Sequence, residues 1–294
     1  MRSQLIIWAT LALSATMFVI NLAVAFASGS HAVLSQAIYN LTDLAGGVML
    51  MWGFFASQRP PDIDHPFGHG KERFFWAFAA TLVTFTSAGL TVFVSGLDQV
   101  VAPQPVTHLG DALVVVGATL ATSVAGIAVT LQELRRSRET LTELLESAHQ
   151  GLKTIFFQDL VSIFASVVVF AGIVVVYRTQ NYVVDGVASC GVAVLLFAAG
   201  VLLAGENREL LVGKAISPDA ARRILQLIER DPRVRQVRSL QSMMLGPDDA
   251  LLALKVNFQD GLTTDQIETV IDQVAASMRQ AFPLIRHLVI EPES

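Results

Sequence analysis

Asp43 and Asp159 lie well inside apolar stretches of the chain that are otherwise nearly free of charge. A carboxylate at such a depth is costly, its side chain is too short to snorkel, and it is by default a functional group. On a helix, Tyr39 and Asn40 stand four and three residues before Asp43 and Gln36 stands seven before it, so all four share one face. Around Asp159, Gln158 is adjacent, Ser162 lies one turn on and Thr154 occupies a neighbouring edge. If the two stretches pack together, two carboxylates and several oxygen donors converge, which is the chemistry of a cation site. The competing reading is that an intramembrane Asp is protonated and hydrogen-bonded to a neighbouring amide as packing glue. Two such groups on separate segments, each with amides beside it, favour the cation.

A second constellation lies in the stretch SQRPPDIDHPFGHGKERFFW, residues 57–76. Asp62, His65 and His69 supply one carboxylate and two imidazoles at a spacing that suits zinc and similar ions. The alternative is a polar turn tightened by Pro60, Pro61, Pro66 and Gly68, with Lys71, Glu72 and Arg73 as a charged boundary.

The elements that must position these residues follow from composition. The chain has 294 residues, 53% of them hydrophobic and 15% charged, with a mean hydropathy of +0.55, which is an integral membrane protein. Crossing the hydrocarbon core takes about 20 apolar residues in a helix. Residues 5–27, 32–56, 74–97, 112–134, 153–177 and 183–205 meet that length. The first is too long for the apolar region of a cleaved signal peptide and reads as a retained span. Six spans put both termini on one side. Arg2, Arg59, Lys71, Arg73, Arg135, Arg136, Arg138 and Lys153 all fall on that side and only Arg178 opposite, so the termini are expected in the cytoplasm. Met49, Met51, Trp52 and the Phe residues of the third span read as lipid-facing or packing residues. Gly46, Gly47, Gly53, Gly89 and Gly96, with Ser87, read as positions of close helix approach. The net charge of −5 offers no support for nucleic-acid binding, and the single Cys190 excludes an internal disulfide and a thiolate metal cluster.

From Glu206 onward the composition is that of a small soluble α+β domain, dividing the chain into a transmembrane domain, 1–206, and a tail, 207–294. Ser217 and Pro218 are an N-cap and first-turn pair opening a helix through Ile224, Leu227 and Ile228. Two strands are expected at 234–245 and 251–258, the second alternating Leu252, Leu254, Val256 and Phe258 with Ala253, Lys255 and Asn257, and GPDD at 246–249 turns between them. Thr263 and Gln266 form a capping box for a helix with the stripe Ile267, Val270, Ile271, Val274 and Met278, and a last strand covers 285–290. The order α, β, β, α, β describes a sheet with helices on one face.

The spacing of Asp43, the run RPPDIDHPFGHGKER at 59–73, Asp159 and the α+β tail together resemble the cation diffusion facilitator family over nearly the whole chain. The loop followed by FFWAF is similar to the branch that includes mitochondrial-type zinc transporter homologues. The resemblance implies an all-α six-helix transmembrane bundle with a ferredoxin-like, metallochaperone-like cytoplasmic tail. It also implies a homodimer in the lipid bilayer that exports divalent metal in exchange for protons by alternating access, with no resident cofactor beyond a zinc-like ion at the loop. The family's transport site has four ligands. Asp43 and Asp159 match two of them, whereas the remaining positions are Tyr39 and Ile155 here. Asn40, beside Tyr39, and Gln158, three residues after Ile155, are the substitute oxygen donors, and an all-oxygen set suits Mn²⁺, Fe²⁺ or Mg²⁺, or Na⁺, better than zinc. Asp62, His65 and His69 match the family's loop metal positions. In the tail the family's ligand positions are Arg238, Lys255, Glu268 and Val289, with Glu291 a retained donor, so a metal-sensing tail of that type is not expected. Two further readings stand beside divalent efflux: a sodium/proton antiporter, and a non-transporting membrane scaffold of the same fold. No nucleophile-base pairing, phosphate loop or nucleotide motif points to an enzyme. The default membrane is the prokaryotic plasma membrane.

Overall fold

The computed structural model describes residues 15–16, 18–20, 22–23, 31–104, 109–137 and 150–293. The side chains of 31–40, 43, 109–115, 118, 133, 137, 150–155 and 158 lie outside that description. Helices run along the last five of the expected spans: α1 (His31–Ala56), α2 (Glu72–Val101), α3 (Leu109–Ser137), α4 (Gln150–Thr179) and α5 (Val183–Val212). Most of the first expected span, 5–27, lies outside the described residues. Among the described residues, Glu72–Val101, Asp159–Thr179 and Val183–Val212 are long and apolar enough to cross a membrane, and Leu44–Ala56 is a shorter apolar helix.

Glycines set the close helix approaches. A side chain at Gly53 of α1 would meet the Trp76 Cβ of α2 at 2.5 Å, and one at Gly46 would run into Thr84. Between α2 and α5, a Cβ at Gly89 would stand 3.0 Å from the Phe197 ring, and one at Gly96 would stand 2.9 Å from both Cys190 Sγ and the Gly186 carbonyl oxygen. This is the packing of helices in lipid, where small residues rather than apolar burial bring backbones together. Large apolar side chains point outward instead, Val201 being 71% and Leu202 70% exposed, with Trp52 and Phe75 also exposed. Such a surface is unfavourable in water and neutral against acyl chains.

Helix α5 is longer than the span read from sequence. It continues past Gly205 through Glu206, Asn207, Arg208 and Glu209 to Val212, and Leu210 buries its side chain in the core of the tail. Gly213 ends it with φ +124°, a conformation that favours glycine.

The tail holds α6 (Pro218–Ile228), β1 (Val234–Gly246), β2 (Asp249–Phe258), α7 (Thr264–Ala281) and β3 (Ile285–Pro292). Its strand order is β1-β2-β3, with β1 and β2 antiparallel and β2 and β3 parallel across the α7 crossover. A parallel pair needs such a long connection, and α7 supplies it. The caps form as read. Ser217 Oγ accepts from the Ala220 amide, while Thr263 and Gln266 make both bonds of the capping box. Leu252, Leu254, Val256 and Phe258 are buried in the core with Ile224, Ile228, Val270, Val274 and Met278. The strands are longer than expected: β2 begins at Asp249, since a two-residue turn at Pro247 and Asp248 suffices, and β3 runs to Pro292 while it pairs with Val256.

The chain separates into two compact units. Among the described residues, one comprises the helices up to Asn207, and the other comprises the chain from Arg208 onward together with the segment Phe55–Phe74. The loop between α1 and α2 therefore belongs structurally to the tail.

Candidate functional site

The loop triad assembles. Two turns do the folding: the Asp62 amide donates to the His65 carbonyl at 3.2 Å, and the Gly68 amide donates to the same carbonyl at 2.9 Å. Gly68 takes φ +81°, which a side chain would strain. This brings one ligand atom from each of Asp62, His65 and His69 within 4.8 Å of one another. His65 Nδ1 lies 3.2 Å from Asp62 Oδ1, and His69 Nε2 lies 3.5 Å from Asp62 Oδ2. The two imidazole rings stand 4.2 Å apart between centroids. The amide of His65 donates to Asp62 Oδ1 at 2.6 Å, and this bond above all holds the Asp62 carboxyl below the usual carboxylate range, with both imidazoles adding to it. Asp62 is thereby an ionised acceptor facing two imidazole nitrogens. His69 is nearly buried, and its Nδ1 has no hydrogen-bond partner. A carboxylate and two imidazoles in this compact, solvent-reachable set fit a zinc-like ion with water completing its coordination.

The rest of the motif docks the loop, and this was not read from the sequence. Phe67, between the two histidines, packs edge-on against His287 of β3 with 5.2 Å between ring centroids. His287 Nε2 in turn lies 3.7 Å from Asp249 Oδ2. Burial pushes the Asp249 carboxyl up, opposed by His287 and Arg286, and its Oδ1 has no hydrogen-bond partner. Gly70 lies against the β1 backbone, where a Cβ would come within 3.1 Å of Gly246 Cα and would collide with the Leu245 carbonyl oxygen. Lys71 Nζ donates to the Leu211 carbonyl at 3.3 Å. Phe74, fully buried, joins the core that holds Leu210, Ile224 and Leu252. In the sequence, the trace of this docking is Phe67 between the two histidines and the glycines, Gly68 and Gly70, on either side of His69.

The membrane site is described on one side. Tyr39, Asn40 and Asp43 lie on α1 and Gln158 on α4, and the side chains of all four lie outside the described residues, as do those of Gln36, Thr154 and Ile155. Asp159 is described: it stands on α4, which packs along α3, and its Oδ2 is buried with no hydrogen-bond partner. The carboxylate rests against Gly126 of α3. An anionic oxygen without a donor in an apolar bundle requires a cation or a proton.

In the tail, Lys255, read as a replaced ligand, engages Glu291, read as the retained donor. Lys255 and Glu291, adjacent in the parallel β2-β3 register, form an ion pair at 3.7 Å.

The cation efflux transmembrane domain family matches residues 7–212. Metal tolerance protein C4 of Arabidopsis thaliana is 24% identical over 246 residues, 82% of this chain and 54% of that protein. The proton-coupled zinc antiporter SLC30A9, mitochondrial, of Xenopus laevis is 26% identical over 261 residues, 86% of this chain and 46% of that protein. The cation-efflux pump FieF of Klebsiella pneumoniae is 22% identical over 278 residues, 94% of this chain and 87% of that protein. The chain thus spans about half the length of the first two and most of the third. A match that runs from residue 7 to residue 212, through both aspartates and the loop triad, makes the protein a member of the cation efflux, or cation diffusion facilitator, family.

Proposed function

We propose that the protein is a secondary active cation efflux transporter that exchanges a divalent metal ion for protons by alternating access. The observation that carries this reading is the buried, unpartnered Oδ2 of Asp159 on an apolar helix. In this scheme the metal is the cargo, entering from the cytoplasm to Asp43 and Asp159, with Asn40, Gln158 and Tyr39 as further oxygen donors. Rocking of the helices exposes the site to the far side, where protons compete for the carboxylates. A bound cation favours the ionised carboxylate and an apolar surround favours the protonated one, so the same groups can carry both passengers.

The zinc named in the SLC30A9 relative supports zinc as a candidate, while the oxygen-only donor set supports a harder ion such as Mn²⁺ or Fe²⁺. Asp62, His65 and His69 would hold a resident ion on the cytoplasmic face, where it would neutralise the Asp62 carboxylate and tie the two histidines into the loop that packs on the tail. The basic residues at span ends support cytoplasmic termini; in this reading the working unit is a homodimer and the membrane is a prokaryotic plasma membrane.

The test is transport by the full chain in sealed vesicles. Asp43→Ala and Asp159→Ala are expected to abolish metal uptake while leaving the protein folded and assembled. Undiminished uptake by either variant would sink the assignment.

A further inference from the structure

Among the described glycines of the membrane helices, some face open space and others face a hydroxyl, an aromatic ring, an aliphatic side chain, a cysteine or backbone, whereas Gly126 faces a charged group. Gly126 of α3 faces the carboxylate of Asp159. A Cβ built on Gly126 would stand 2.7 Å from Asp159 Cγ and 3.0 Å from Oδ1, and closer still to Oδ2. The carboxylate thus occupies the place a side chain would take. Gly126 lies on the buried face of α3, since Ser123 one turn before it and Thr130 one turn after are buried at 4% and 1% exposure. The contact holds the carboxylate without satisfying it. Inside a helix the backbone amides are committed to carbonyls one turn away, so the backbone beside Gly126 offers Oδ2 no donor, and that oxygen is buried and unpartnered.

We propose that Gly126 is a positioning residue for the transported divalent cation: its absent side chain is the space in which the Asp159 carboxylate lies, and it thereby fixes how that carboxylate faces the ion. This rests on the reading of Asp159 as a transport ligand. It differs from the ordinary use of glycine in membrane helices, which is to let two backbones approach. The two roles are separable, because a methyl group at 126 would collide chiefly with the carboxylate. Removing the carboxylate should make room for it, whereas a backbone-packing glycine would tolerate alanine no better after that change.

The experiment has a stability arm and a transport arm, both on the full chain. In detergent, Gly126→Ala is expected to lower the melting temperature in the native background and to cause no further loss in the Asp159→Ala background. Equal losses in both backgrounds would overturn the proposal. Should Gly126→Ala fail to assemble, rescue by Asp159→Ala supports it and failure of the double variant overturns it. In vesicles loaded with a metal-sensitive dye, Gly126→Ala is expected to raise the apparent KM for Zn²⁺ or Mn²⁺ roughly tenfold to a hundredfold, the scale of a displaced ligand. The maximal rate should change less. Gly117→Ala, on the same helix with nothing within 4 Å of the added Cβ, should leave both constants unchanged. An unchanged KM in Gly126→Ala would also overturn the proposal. Full transport by Asp159→Ala would overturn the transport reading of Asp159, and with it this cation-positioning role, while leaving the stability coupling intact.

Discussion

Asp62, His65 and His69 differ in what surrounds them, and that difference decides what each would contribute to holding a metal ion. Asp62 is exposed but already ionised, because the His65 amide bonds its Oδ1 at 2.6 Å. His69 is nearly buried, so it would be the ligand most fixed in place. His69→Ala is expected to weaken metal binding at the loop by more than the roughly 10- to 100-fold typical of outer-shell changes, measured by calorimetry with Zn²⁺ on an Asp43→Ala background to silence the membrane site. Unchanged affinity would remove His69 from the ligand set. Elsewhere Asp231 shows a single-residue electrostatic effect. Arg233 donates to both its oxygens, at 2.9 and 2.7 Å, and these side-chain bonds hold the Asp231 carboxyl below its usual range. A carboxylate depressed in the fold stabilises it above the unfolded value of about 3.9 and loses that contribution as pH falls through the lower folded value. Asp231→Asn should therefore narrow the gap in melting temperature between neutral pH and pH below 4, and an unaltered pH profile would contradict this.

Among the elements, those governed by neighbours in sequence were legible and those governed by distant partners were not. Ser217 and Thr263 announce their helices because a cap is a bond three residues long. Thr263→Ala should cost about 1 kcal/mol in urea unfolding of the full chain, and a cost near zero would mean that the box forms without holding the helix. The alternation from Leu252 to Phe258 was legible because one face of β2 lies on the helices. The triad was legible because its ligands lie within eight residues and close through two local turns. The docking of that loop was not, since Lys71 bonds Leu211, 140 residues on, and Phe67 meets His287 across a longer gap still. Gly126 was equally silent. It lies in an apolar segment with other glycines, and only the fold shows that what it faces is a carboxylate.

At the scale of the whole molecule, the segment Phe55–Phe74 leaves one membrane helix, carries the triad of Asp62, His65 and His69, and packs with the tail before entering the next. Phe74 is the anchor: it is fully buried among the apolar residues of the tail. Phe74→Ala should cost roughly 3 to 5 kcal/mol and should release the loop, seen as faster hydrogen exchange through 62–73 and weaker metal binding by the triad. Retained protection of that segment would show that Gly70 and Lys71 hold it without Phe74. A metal ion held by the loop would thus be linked to the tail through packed side chains rather than through a ligand in the tail, where Lys255 pairs with Glu291.

The central claim, that the chain moves a divalent cation against protons, is tested most directly in vesicles containing the full chain and an internal pH dye. Zn²⁺, Mn²⁺, Fe²⁺ and Na⁺ are to be offered one at a time. Proton movement opposite to the metal, driven by at least one divalent ion and lost in Asp159→Ala, is the predicted result. Proton flux with Na⁺ alone, or with none of the four, would contradict it.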